Sequence, residues 1–171
     1  MQKFRLDLEN GLILSSDLSE SKVAVIPDVN KQDMENGYIW YALPLIEING
    51  EKIVLNLCFF QSKLQSVNIS ISNPELYGTS WSDFSEDKEK LRAKNTEKWL
   101  SDIGYSTGKY SWGEIWAGYD SKGGSGHAVV HYALEQENLN VDKYPLAGLR
   151  SSGSIANKYL PFNLVVRLHY V

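Results

Sequence analysis

The sequence predicts an α+β domain: an antiparallel sheet of about six to eight strands with one amphipathic helix packed across one of its faces. Three observations predict it. Apolar residues alternate with polar ones at period two in several short runs, and the links between these runs are too short for the crossovers that parallel strands need. A single stretch, 84–103, carries helical spacing with signals at both ends. Aromatic residues make up 12% of the chain, with ten Tyr and five Trp, and such residues favour strands. At 171 residues the chain is expected to form one domain over 1–171, long enough to bury a core without staples.

Taken in order, Phe4, Leu6 and Leu8 alternate with Arg5, Asp7 and Glu9 ahead of Asn10-Gly11 and the apolar Leu12, Ile13 and Leu14, so a hairpin opens the chain. Residues 15–20 read as a polar loop, 23–26 as a short strand and 27–37 as a surface connection. Strands at 39–48, 52–60 and 64–72 follow, joined by Asn49-Gly50 and by Gln61-Ser62-Lys63 into a meander. Pro44 removes a ladder hydrogen bond from the first strand and marks it as an edge. The last strand, with Val67, Ile69 and Ile71 on one side and Asn68, Ser70 and Ser72 on the other, reads as the opposite edge with one wet face. The middle strand is apolar on both sides apart from Asn56 and is expected to be the most buried.

Pro74 and Gly78 break the sheet and lead into the helix, expected over 84–103. Asp83 with Glu86 matches a capping pair, Glu86, Asp87 and Glu89 place negative charge in the first turn, and Gly104 ends it. Leu91, Trp99, Leu100 and Ile103 make its apolar stripe. Residues 111–119 and 127–134 then read as a Trp-rich hairpin closed by the loop 120–127. The segment 134–163 reads as irregular or mobile, and 164–171 as a closing strand.

Charge narrows the function classes. A net charge of -4 and a pI near 5.4, with no block of Lys and Arg apart from balancing acids, argue against nucleic acid or an anionic membrane as partner. The lone Cys58 sits in an apolar run and reads as a buried structural thiol. The N-terminal residues alternate charge with apolarity and do not read as a signal peptide, and no run is long enough for a membrane span, so a cytoplasmic protein is expected. Asn68-Ile69-Ser70 matches a glycosylation sequon but lies inside a predicted strand.

Candidate chemistry gathers around the hairpin. The glycines of Gly123-Gly124-Ser125-Gly126-His127 can expose amides to an anion, yet the loop joins strand to strand and lacks a phosphate-loop pattern, so a flexible connection is the expected role. His127 and His131 lie four apart near Glu114 and Asp120. On a strand that spacing separates them by roughly 13 Å, too far for one metal ion, so neither metal nor cofactor is expected. Ser125 near His127 has no elbow or triad signature around it, and no catalytic residue is assigned. Trp112, Trp116, Tyr105, Tyr110 and Tyr119, with Trp81 and Trp99 near in sequence, form either the helix-on-sheet core or an interface, since Trp and Tyr concentrate binding energy where they are exposed.

The helix followed by Tyr110-Ser111-Trp112-Gly113-Glu114-Ile115 and Gly118-Tyr119-Asp120-Ser121-Lys122-Gly123-Gly124 resembles a pattern in small, largely uncharacterised bacterial cytosolic proteins, some of them immunity or accessory proteins. The resemblance covers about a third of the chain and implies a partner-binding module with no catalytic residue to carry over. The expected function is a non-enzymatic binding protein, immunity-like or accessory, that engages a protein partner through Trp112, Trp116, Tyr119, Asp120 and His127. The alternative is a small-molecule or glycan binder, or a small hydrolase, centred on Asp120, Ser125 and His127.

Overall fold

The computed structural model describes residues 3–133, so the expectations for 134–163 and 164–171 lie outside the described residues. In chain order the elements are β1 (Leu6–Asp7), β2 (Ile13–Leu14), α1 (Glu20–Ala24), β3 (Asn30–Asp33), β4 (Tyr38–Ala42), β5 (Ile46–Ile48), β6 (Glu51–Phe60), β7 (Lys63–Ile71), α2 (Pro74–Tyr77), a 3-10 turn (Trp81–Asp83), α3 (Glu86–Asp102), β8 (Gly108–Tyr110), β9 (Gly113–Asp120) and β10 (Ser125–Tyr132). The fold is α+β, as predicted. β1 and β2 pair as a small hairpin, and a sheet of eight strands runs β3-β4-β6-β7-β10-β9-β8 with β5 paired on β6. Every pairing in it is antiparallel.

One expected edge turns out to be interior, and so does the first half of the other, whose second half, β5, pairs with β6 alone among the described strands. β7 pairs with β10 on its far side, and β4 pairs with β3. The long-range partner of β7 comes from beyond the helix, and no local pattern announces it. β3 escaped notice because Asn30, Lys31, Gln32 and Asp33 are all exposed and show no apolar alternation. The expected strand 23–26 is the end of α1, where Val23 is buried and Val25 is 78% exposed. Pro44 does interrupt the expected strand 39–48, splitting it into β4 and β5.

The helix α3 is where prediction and packing differ most. Asp83 caps the 3-10 turn instead, accepting hydrogen bonds from the Thr79 and Ser80 amides at 3.0 Å, and Ser85 stands at the N-cap of α3. Gly104 follows the C-cap with φ +94, and the Tyr105 amide reaches back to the Leu100 carbonyl at 2.8 Å. The buried stripe is Glu89, Ala93, Thr96, Trp99 and Leu100, whereas Leu91 is 42% exposed. The cause is close approach: a Cβ placed on Gly126 would stand 1.7 Å from the Glu89 carbonyl oxygen. At that separation only small residues fit between helix and sheet, so Gly126 and Ala93 face each other and leucine points away.

Polar groups hold this seam. Glu89 Oε2 accepts the Gly126 N–H at 2.8 Å and pairs with Arg92 at 3.2 Å, while the Arg92 guanidinium lies 4.7 Å from the Tyr77 ring centre. Thr96 Oγ1 accepts the Ile71 N–H at 3.2 Å and donates to the Arg92 carbonyl at 2.8 Å. The buried carboxylate is thus supplied with a cation and an amide donor, the condition under which burying charge is tolerated. Around the seam, Phe4, Leu14, Val23, Leu55, Leu57, Val67, Ile69, Ile115, Val130 and Leu100 form one buried cluster.

Candidate functional site

Strand register divides the sheet into two faces. On the first, Tyr41, Leu57, Val67, Val130 and Ile115 lie in one row, and α3 packs over the β7, β10 and β9 part of it. On the second, the neighbouring row is Ala42, Asn56, Asn68, Val129 and Trp116, and the next is Trp40, Cys58, Ser66, His131 and Glu114. Among the described residues no helix lies over this second face. Cys58 and Val129 are buried on it yet stand outside the main cluster. Burial pushes the Cys58 thiol up to about 11, which keeps it a thiol at neutral pH and fits the structural role expected of it.

Trp116 occupies the centre of the exposed hairpin and keeps 40% of its surface in water. Its orientation follows from Gly118: a Cβ there would fall 2.6 Å from Trp116 Cζ2, so the indole lies flat over the glycine. Register pairs Gly118 with His127, and the two rings accordingly meet edge to face with centroids 5.6 Å apart. An open groove of about 320 Å³ runs beside them, lined by Trp116, Asp120, Lys122, His127, Val129 and His131 among others.

His127 Nδ1 lies 3.2 Å from Ser125 Oγ. Burial lowers the His127 pKa, and the charges of Asp120 and Glu89 and a hydrogen bond with Ser125 offset part of that, so the ring is neutral at pH 7. Asp120 does not orient it. Its carboxylate oxygens accept the Lys122 and Gly123 N–H groups at 3.0 Å each, and its carbonyl accepts the Gly124 N–H at 2.7 Å. The same bonds decide the anion-nest reading: the loop amides are already satisfied by Asp120, and that of Gly126 by Glu89. His127 and His131 share the face with Val129 between them, and among the described residues no three His, Cys, Asp or Glu are grouped to hold a metal ion.

The structure separates the aromatic residues that the sequence placed together. Trp112 is 7% exposed, because it sits in the turn before β9 and stacks on Tyr110 at 4.9 Å and 3°, with Tyr132 at 6.1 Å. It belongs to the core. Tyr119 pairs with Gly126 on the helix side, where the Lys90 ammonium lies 6.0 Å from its ring centre, and it reaches the groove only at the rim. Trp116, Asp120 and His127 are brought together at the groove.

Trp81, among the aromatic candidates of the sequence, is exposed together with Phe84, which was not among them. Trp81 is 74% exposed and stacks on Phe84 at 5.0 Å and 21°, and both rings come within 3.6 Å of a Cβ built on Gly124 at the hairpin tip. The readable signal was two aromatics in a run of Ser and Asp with no periodic partner.

No protein family matches the sequence, and no curated protein does. Among solved structures, a chain of the one titled "Rhs1-CT in complex with cognate immunity protein RhsI1" is similar over 81% of this chain and 88% of its own, with a TM-score of 0.49 and 14% identity. Among the described residues no helix is long and apolar enough to cross a membrane.

Proposed function

We propose that this protein is a non-enzymatic binding module that presents the uncovered face of its sheet, centred on Trp116, to a protein partner in the cytoplasm, as an immunity or accessory protein does. One observation carries the reading: a Trp with 40% of its surface exposed packs over Gly118 and against the His127 ring beside a groove, on the face that the described helices leave open. Exposed aromatic residues that are already rigid concentrate binding energy, because little side-chain entropy remains to be lost. Five central strands spaced about 4.8 Å apart give a footprint roughly 20 Å across, the scale of an ordinary protein interface. The Trp81–Phe84 stack adds a second exposed aromatic pair beside the hairpin tip.

The hydrolase alternative is weakened by Asp120, whose carboxylate is committed to two loop amides instead of to His127. The test is capture: the tagged chain is used as bait in lysate of its own cells, with Trp116→Ala as the surface variant. A single stoichiometric protein retained by the parent and lost by Trp116→Ala is the expected result. A folded bait that retains nothing, or retention indifferent to both Trp116→Ala and Trp81→Ala, overturns the proposal.

A further inference from the structure

We infer that the outer edge of β9, from Trp116 to Asp120, receives an extended segment of the partner, which joins the sheet as an added strand in the lane that β8 leaves empty. The inference rests on the protein-partner reading and names the form that the partner's contact takes. β8 is short: it pairs only with Gly113, Glu114 and Ile115, so among the described strands residues 116–120 have β10 on one side and nothing on the other. Ladder phase fixes which backbone groups lie open. The Trp112 carbonyl accepts the Ala133 N–H and the Asp120 carbonyl accepts the Gly124 N–H, so at Glu114, Trp116 and Gly118, which share that phase, the backbone also turns toward β10. Gly113, Ile115, Ala117 and Tyr119 point the other way. β8 meets the first two, and among the described residues no hydrogen bond reaches Ala117 or Tyr119 from that side.

Two N–H and two C=O groups in strand geometry are matched by another extended backbone. The edge is also undefended. From Trp116 to Asp120 it carries no Lys and no Pro, and its register with β10 runs without a shift, whereas β3 at the opposite end of the sheet is exposed throughout and carries Lys31 and Asp33. Trp116 on the open face and Tyr119 on the helix side give the guest's alternating side chains an aromatic ring on each side of the lane. Charge does not choose the guest: Asp120 and Lys122 carry opposite charges at the tip, and Lys90 is paired with Glu86.

The experiment selects linear peptides from a random phage-displayed library against the full chain, then synthesises each selected peptide with one backbone amide N-methylated at a time. Strand addition gives a pattern of period two: methylation at alternate positions lowers affinity about tenfold, and at the positions between it has little effect. Binding should be lost in Ala117→Pro, which removes an open N–H, fall about threefold in Trp116→Ala, and be indifferent to added salt. Where Ala117→Pro does not fold, the N-methyl pattern decides alone. In the free chain, amide hydrogen exchange followed by NMR should be fast at Ala117 and Tyr119 and slow at Trp116 and Gly118. Failure to select any peptide, a methylation pattern without alternation, or protected amides at Ala117 and Tyr119 overturns the inference; protection that grows with chain concentration gives the lane to a second copy and overturns it equally. If a folded Ala117→Pro bait still captures a protein that Trp116→Ala loses, strand addition falls and the protein-partner reading stands. If peptides add at this edge while capture is blank, the protein-partner reading is the one that falls.

Discussion

β9 and β10 show what a strand can do with its two sides. Under α3 their side chains diminish toward the seam, from Ile115 and Val130 through Ala128 to Gly126, where helix and strand backbones nearly touch. On the open side the same strands carry Trp116, His127, Val129 and His131. A glycine serves each side, for different reasons. At Gly126 a Cβ would strike backbone, 1.7 Å from an oxygen that cannot move without displacing the helix; at Gly118 it would strike the far end of an indole at 2.6 Å, which can swing away. One glycine sets how close two elements lie, and the other sets how one side chain lies.

Substitutions can sharpen that contrast. Gly126→Ala is expected to cost most, on the order of 5 kcal/mol, enough to unfold a domain of ordinary stability; urea titration of the purified chain measures it. Trp112→Ala should follow, losing about 3 to 5 kcal/mol because a buried stack on Tyr110 disappears, whereas Trp116→Ala should lose under about 1 kcal/mol. If both Trp variants melt together, the core and surface assignments of these residues are wrong.

Glu89→Gln keeps the shape of the seam but removes the charge facing Arg92 and Gly126, and a loss of about 1 to 3 kcal/mol is expected in the same titration. The acid response comes next. The unfolded chain takes up a proton on His127 near the ordinary value of 6.5, while burial makes the folded chain resist it. The unfolded state therefore binds more protons below that pH, and the contribution of His127 to stability falls as pH drops from about 6.5 towards the lower folded value, no more steeply than about 1.4 kcal/mol per pH unit, with His131, lowered by burial in the same way, adding its own loss. His127→Gln should flatten that slope in pH-dependent denaturation. The smallest effect belongs to Gly118→Ala: stability should change by under about 1 kcal/mol while the Trp116–His127 ring contact is lost, seen as movement of the His127 ring signals.

Local pattern was sufficient where two elements are adjacent in the chain. The opening hairpin, the β6–β7 pair joined at residues 61–62 and the Trp-rich hairpin are all read from period-two alternation around turn residues, and Gly104 ends α3 where expected. The candidate site was legible in part: the loop 120–127 and its neighbours Trp116 and His127 were singled out, but not which aromatic residues would be wet. Trp112 and Trp116 have the same spacing as two residues on one strand face, and only the turn before Gly113, with φ +153, takes Trp112 into the core.

What the sequence determined by itself, then, was the class of fold, most of the strand pairs between chain neighbours, and the helix with its approximate ends. Tertiary structure alone decided that β7 is interior, that Glu89 and Thr96 rather than Leu91 face the sheet, that Asp120 builds the turn, and that Trp116 stands free. The physical reason is range. Alternation, caps and turn residues act over a few positions, whereas each of these outcomes depends on a contact made across the chain, such as Glu89 with Gly126 or β7 with β10, whose strength is set by distance in space.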